Sequence, residues 1–118
     1  MKTKLASEGM ATFIQKVQNF DSSAYLLGWG VATFDAQYSL QSLARTRTSG
    51  PDGNFNFARV SDPQVDKLVD AMKTETDVAK RNAMIREALV RTRDEHLFVP
   101  LHHQLRHWAM KASVTTMP

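Results

Sequence analysis

Residues 61–72 read Ser-Asp-Pro-Gln-Val-Asp-Lys-Leu-Val-Asp-Ala-Met, and they contain the clearest helix signal in the chain. Ser61 followed by Gln64 three positions later matches a capping box, which predicts Ser61 as the N-cap. Pro63 fits the first helical turn, because the backbone N–H that proline lacks has no partner there. The apolar residues then recur at helical spacing, which predicts one buried face. This face consists of Val65, Leu68, Val69 and Met72.

Three further helices are predicted on either side of this stretch. A long helix restarts at Thr76-Asp77, and its apolar stripe is Met84, Ile85, Ala88, Leu89 and Thr92. Residues 11–20 also follow helical spacing. A short helix runs from Ala36 to Leu43, with Asp35 as its cap. Between the short helix and Ser61, residues 45–59 carry most of the turn chemistry and are expected to form a surface loop.

Four segments are predicted as strands, and they set the expected fold class. Residues 24–29 form a continuous apolar run, typical of a strand buried on both faces. Residues 97–101 also predict a strand, at a sheet edge because of Pro100. Weaker strand signals lie at 2–8 and 107–110. The sequence thus predicts an α/β fold of one domain, residues 1–118, with helices packed on a single layered sheet.

The composition narrows the classes of protein to which the chain can belong. Of its 118 residues 42% are hydrophobic and 23% are charged, which is typical of a globular protein. The net charge of +3 is small and dispersed along the chain, so nucleic acid is not an expected partner. Without cysteine the chain has no disulfides and no thiolate sites. Met1 to Glu8 lack the apolar core of a signal peptide, so none is expected in this chain.

No catalytic, metal or cofactor site is predicted. The chain has four histidines, His96, His102, His103 and His107, but none has the spacing of a His-Glu-x-x-His metal motif. Its carboxylates lie in predicted helices or at their ends, where caps and solvated faces explain them. Phosphate-binding glycine motifs and the Gly-x-Ser-x-Gly nucleophile motif are also missing. We therefore expect a protein that is not an enzyme.

Several segments taken together resemble the peptide/nickel-type (family 5) extracellular solute-binding proteins of ABC transporters. Their order and spacing along nearly the whole chain make the match specific. The segments are 24–30 (Ala-Tyr-Leu-Leu-Gly-Trp-Gly), 34–36 (Phe-Asp-Ala), 54–59 (Asn-Phe-Asn-Phe-Ala-Arg), 61–68, 75–81 (Glu-Thr-Asp-Val-Ala-Lys-Arg) and 99–104 (Val-Pro-Leu-His-His-Gln).

The resemblance implies a location, partners and an architecture. Members of the family bind peptides, nickel complexes, sugars or other solutes in the periplasm or cell envelope, close two lobes on them and dock on an ABC permease. This chain would correspond to part of the carboxy-terminal lobe of that two-lobed, periplasmic-binding-protein-like fold. A fragment of such a protein leaves apolar surface uncovered, so we expect the isolated chain to self-associate.

The predicted ligand-binding residues follow the apolar run that ends at Trp29, because open α/β sheets bind ligands at the carboxyl ends of their strands. These residues are Trp29, Gly30, Val31, Ala32 and Asp35, with Asn54 and Phe55 from the loop. By the resemblance, Ala32 stands where peptide-binding members have an aspartate for the ligand amine. The expected ligand is therefore a small-molecule or peptide-like solute that is not held by its amine.

Other interpretations of the same residues stay open. When only their spacing is considered, core packing explains the aromatic residues Trp29, Phe34 and Tyr38 better than ligand binding does. The chain as a whole could be a small stand-alone α/β enzyme, which would need a paired nucleophile and base. It could also be a weakly basic nucleic-acid-binding domain, which would show binding that depends steeply on salt.

Overall fold

The computed structural model describes residues 2–105, 107 and 109–114, and in this part of the chain all regular structure is helical. Helix α1 spans Met10–Gln18 and helix α2 spans Ala36–Ser39, which continues into a π-helical turn at Leu40–Ala44. Helix α3 spans Pro63–Met72, and the longest helix, α4, spans Val78–Asp94. The helices predicted from the sequence are therefore present, with ends that shift by up to two residues when the π-helical turn is counted with α2.

The predicted α/β fold with a single layered sheet is wrong, because no β-strand occurs within the residues that the structure describes. Residues 2–8, 24–29 and 97–101 all have irregular backbone. In the predicted strand at 107–110, Trp108 lies outside the described residues and the other three positions are irregular. A strand requires a hydrogen-bonded ladder to a neighbour, and the described residues of these segments form none with one another.

Burial along residues 24–31 shows that this apolar run is not a strand buried on both faces. Tyr25, Leu27 and Trp29 are half-buried, whereas Leu26 between them is 68% exposed. This is the two-residue period of an extended chain with one covered face. A strand of a buried parallel sheet would be covered on both faces.

Aspartate side chains cap the three helices that follow the Trp29 segment. Asp35, Asp62 and Asp77 each accept a hydrogen bond from a backbone N–H in the first turn, at 2.9, 2.9 and 3.0 Å. The prediction of Ser61 as the cap of α3 is wrong by one residue, since the carboxylate of Asp62 accepts from the Gln64 N–H instead. Such a cap typically contributes about 1 kcal/mol to helix stability.

The core lies where α3 and α4 pack on the π-helical turn. Val65, Val69, Met72 and Ala88 are fully buried, and together with Leu40 and Ala44 they form one cluster. Residues packed around this cluster are Leu68, Met84, Ile85, Leu97 and Phe98. Burying side chains of this size stabilises a fold by about 1.5–3 kcal/mol each.

The predicted apolar face of α3 is thus confirmed, whereas the stripe predicted for α4 is only partly correct. Leu89 was expected to be buried and is 45% exposed. Ala88 is the one fully buried residue that the structure places in α4.

Candidate functional site

Six aromatic side chains form a continuous row along one side of the helices. In spatial order this aromatic row is Phe13, Tyr25, Phe57, Phe55, Trp29 and Tyr38. Neighbouring ring centroids are 5.2 to 6.4 Å apart, mostly edge to face. Each such pair contributes about 0.5–1.5 kcal/mol beyond the area it buries. The row therefore links α1, α2 and the loop before α3 into one surface.

Trp29 occupies a fixed position near the end of this row. Its ring stacks on that of Tyr38 at a centroid distance of 5.8 Å and an angle of 17°. Phe55 meets the same indole edge to face at 5.2 Å. The indole N–H donates to the Ser39 hydroxyl at 3.0 Å, which sets the orientation of the ring. A half-buried indole held in this way presents a rigid apolar surface.

Helix α2 carries two of the groups that hold Trp29, and Asp35 fixes where this helix begins. The Asp35 carboxylate accepts from the Gln37 N–H at 2.9 Å and pairs with Arg81 of α4 at 2.8 Å. The hydrogen bond from Gln37 lowers the pKa of Asp35, with Arg81 adding to this effect and partial burial opposing it. Asp35 therefore stays ionised and ties α2 to α4.

The loop between Arg45 and Val60 packs closely against the end of the π-helical turn. The Gly53 N–H donates to the Gln41 carbonyl at 2.8 Å, and the Phe55 N–H donates to the Ser42 carbonyl at 3.0 Å. These two carbonyls belong to a helix end, where acceptors otherwise lack partners. The expectation of a surface loop is therefore wrong for its centre, because Gly53, Asn56 and Phe57 are buried.

Of the predicted ligand-binding residues, the structure brings Trp29 and Phe55 into direct contact. Asp35 lies at the start of α2, where its carboxylate is engaged by Gln37 and Arg81. The remaining four predicted residues do not join the aromatic row. Gly30, Ala32 and Asn54 are exposed and Val31 is half-buried.

Sequence reasoning did not place Phe57 or Tyr38 among the ligand-binding residues. Phe55 and Phe57 stand two residues apart in the sequence, but they lie in turns rather than in an extended stretch, so this spacing was no signal for the contact of their rings at 5.9 Å. Phe34 had been grouped with the pocket aromatics but is 97% exposed and lies outside the row. Its φ of 54° turns the backbone just before Asp35.

A cleft of about 1010 Å³ opens beside the aromatic row. The rings of Tyr25, Trp29 and Phe57 line one part of it, and aliphatic side chains including Leu43 and Leu89 line another. Clefts that bind small molecules in proteins generally have volumes of about 300–1000 Å³ and mainly apolar walls. The cleft therefore has the size and lining of a site for a small molecule with apolar surface.

A network of ion pairs holds the loop and α3 together on the far side of α2. Arg45 pairs with Asp66 at 2.9 Å and with Asp70 at 3.0 Å, and Lys73 pairs with Asp70 and Asp52 at 3.0 Å each. The hydrogen bond from Arg45 lowers the pKa of Asp70, with Lys73 adding to the effect and partial burial opposing it. These charged groups pair with one another, so stabilising the fold is enough to explain their presence.

Stability is expected to fall as the pH drops below about 5, because the pKa of Asp70 is lower in the folded chain than the ordinary value of about 3.9. A depressed folded pKa stabilises the fold above the unfolded pKa, and this contribution disappears as the pH falls through the folded pKa. Urea midpoints measured from pH 7 to pH 3 test this. Asp70→Asn should flatten the acid limb, because it removes the group that titrates. An acid limb as steep in Asp70→Asn as in the unmodified chain would contradict the prediction.

Within the described residues, no helix is both long and apolar enough to cross a membrane. In the same part of the chain, no three histidine or carboxylate side chains are grouped closely enough to hold a metal ion.

No family model, no curated protein and no solved structure matches this chain.

Proposed function

We propose that this chain forms one wall of the ligand site in a solute-binding protein of an ABC importer, and that it binds its ligand without transforming it. The observation that carries this proposal is the fixed indole of Trp29 beside a cleft of ligand size. Tyr38, Phe55 and Ser39 hold this indole from three directions. A ring that is already ordered loses little conformational freedom when a ligand packs on it.

The resemblance to peptide/nickel-type solute-binding proteins supports the same proposal from the sequence. Two of the residues chosen as ligand-binding, Trp29 and Phe55, lie far apart in the sequence and meet in the structure. In this proposal the partners are a solute and an ABC permease, and the protein works in the periplasm or cell envelope. The permease would receive the solute from the complete binding protein.

The ligand proposed for this site presents an apolar or ring-shaped face to Trp29 and is not held by an amine. Ala32 offers no charge at the position where, by the resemblance, peptide-binding members have an aspartate. Asp35, the next carboxylate, is engaged by the Gln37 N–H and by Arg81. A ligand ammonium at Asp35 would have to share these two oxygens with the Gln37 N–H and with Arg81, which weakens its hold on the carboxylate.

Isothermal titration calorimetry on the 118-residue chain tests the proposal with four defined probes: trialanine, N-acetyl-trialanine, cellobiose and a nickel–histidine complex. We expect at least one probe to bind, and acetylation not to weaken peptide binding. Trp29→Ala should weaken the binding by about tenfold or more, because it removes stacking worth about 1.5 kcal/mol.

Phe34→Ala is the matched control, since Phe34 is an aromatic residue outside the row, is 97% exposed and does not line the cleft. Its affinity should equal that of the unmodified chain. The proposal fails if none of the probes binds, or if Trp29→Ala and Phe34→Ala bind equally well. Tight binding of trialanine that acetylation abolishes would contradict the proposed ligand chemistry while leaving the binding function in place.

A further inference from the structure

The chain exposes far more surface than a compact monomer of its size. Its accessible surface is 9584 Å², whereas a folded monomer of 13.3 kDa exposes about 6500 Å². Its radius of gyration is 17.2 Å, against about 13.5 Å for a compact domain of 118 residues. Roughly 3000 Å² per chain is therefore left uncovered, which is more than the about 1000–2500 Å² that each chain of an obligate homodimer buries.

Part of the exposed apolar surface lies on two irregular segments that run close to each other, residues 24–31 and 97–105. We call these two segments the seam. A cleft of about 660 Å³ separates them, lined by residues 26–29 on one side and 99–104 on the other. Large aliphatic side chains of the seam are strongly exposed: Leu26 (68%), Val99 (73%), Leu101 (66%) and Leu105 (85%).

The seam also lacks backbone pairing with the other residues that the structure describes. Among the described residues, no backbone N–H or carbonyl of 24–31 or 98–105 takes part in a backbone–backbone hydrogen bond. Unpaired backbone beside apolar side chains is a template for pairing with another chain. Such pairing satisfies the backbone groups and covers the leucines in one step.

Charge favours a second copy of this chain as the partner. The chain has a net charge of +3, yet 24–31 and 97–105 contain no lysine, arginine, aspartate or glutamate. Two identical seams can therefore meet without repulsion between lysine, arginine, aspartate or glutamate side chains of like charge, which would otherwise oppose self-pairing. A two-fold arrangement lets each copy offer the same surface to the other.

We propose that the chain forms a two-fold dimer through the seam, with backbone hydrogen bonds between copies and with Leu26, Val99 and Leu101 buried between them. The lack of backbone pairing among the described residues and the missing charge point to the same two segments, and the uncovered area of the whole chain is large enough for a dimer interface. Leu26, Val99 and Leu101 line both the seam and the cleft beside the aromatic row. The dimer is therefore tested without any solute, and its failure leaves the solute-binding proposal intact.

Sedimentation velocity over a range of protein concentrations tests the dimer. Leu26→Lys and Leu101→Lys place a charge on an exposed edge, and each should raise the dimer dissociation constant by about tenfold or more. Both side chains are exposed in the single chain, so circular dichroism should show unchanged helix content. Val78→Lys is the matched control: Val78 is 71% exposed at the start of α4, outside the seam, and this variant should dimerise like the unmodified chain.

Hydrogen exchange gives a second readout that does not rely on the variants. Amides of 24–31 and 98–105, except that of Pro100, which has no N–H, should become protected as the concentration rises into the dimer range. A chain that stays monomeric throughout the range would overturn the proposal, as would equal weakening by Val78→Lys or a dimer whose seam amides stay unprotected. A chain that is monomeric alone and pairs only with a different polypeptide would overturn it as well.

Discussion

Gly53→Ala is expected to destabilise the chain by about 2–4 kcal/mol, because two independent costs fall on this position. Gly53 has a φ of 65°, a left-handed conformation that costs a residue with a side chain about 1–2 kcal/mol. A Cβ atom here would also lie 2.4 Å from the Arg45 carbonyl oxygen and 2.7 Å from the Arg47 Cα. Both contacts are with backbone, so no side chain can rotate away to relieve them.

The control for this prediction is Gly50→Ala in the same loop. Its Cβ would meet only the Thr48 hydroxyl, at 3.6 Å, and Gly50 does not have a positive φ. Urea unfolding followed by circular dichroism should show a clearly lower midpoint for Gly53→Ala and a change within about 0.5 kcal/mol for Gly50→Ala. Equal midpoints for the two variants would contradict the prediction.

The effect of Gly53→Ala should extend to the candidate site. The Gly53 N–H holds the loop on the Gln41 carbonyl, two residues before Phe55 contacts Trp29. Displacing the loop should therefore expose Trp29 and shift its fluorescence to longer wavelength. Measured in a Trp108→Phe background, the shift would report on Trp29 alone.

Asn56→Ala is expected to cost about 2–4 kcal/mol, because Asn56 is fully buried and its amide makes three hydrogen bonds. Its Nδ2 donates to the carbonyls of Arg45 at 3.1 Å and Val60 at 2.8 Å, and its Oδ1 accepts from the Val60 N–H at 3.0 Å. Alanine removes all three bonds and leaves backbone groups without partners in the interior. The loss should appear as a lower urea midpoint with an unchanged slope.

Two further variants separate hydrogen bonding from simple loss of volume. Asn56→Asp keeps the acceptor for the Val60 N–H but turns a carboxylate oxygen toward two carbonyls, so it should be at least as destabilising at pH 7. Asn54→Ala, at an exposed position two residues earlier, should change stability by less than about 0.5 kcal/mol. An Asn56→Ala variant as stable as Asn54→Ala would show that this amide does not hold the loop.

The helices could be predicted because their signals are local. The start of α2 was predicted from its cap residue Asp35, and that of α4 from the helical pattern that restarts at Thr76-Asp77. The error at α3 has the same origin, since Ser61 and Asp62 are both good caps and only the backbone geometry selects Asp62. The buried face of α3 was predictable because helical spacing fixes which side chains share a face.

The strands could not be predicted reliably, because a strand depends on a partner elsewhere in the chain. Residues 24–29 and 97–101 have apolar composition, but composition does not show whether a ladder forms. The packing of the loop between Arg45 and Val60 could not be predicted for a similar reason. Turn residues at Gly50 and Gly53 look alike in the sequence, yet only Gly53 lies against the backbone of Arg45 and Arg47.

The sequence by itself determined where the main helices begin, which face of α3 is buried, and that Trp29 and Phe55 are candidates for one site. Tertiary structure decided that no sheet forms among the described residues, that the loop packs on the π-helical turn, and that Asp35 is engaged by Arg81. The physical reason is the distance along the sequence over which each kind of interaction acts. Caps and helical periodicity act over a few residues, whereas ladders, loop docking and ion pairs require segments that only folding brings together.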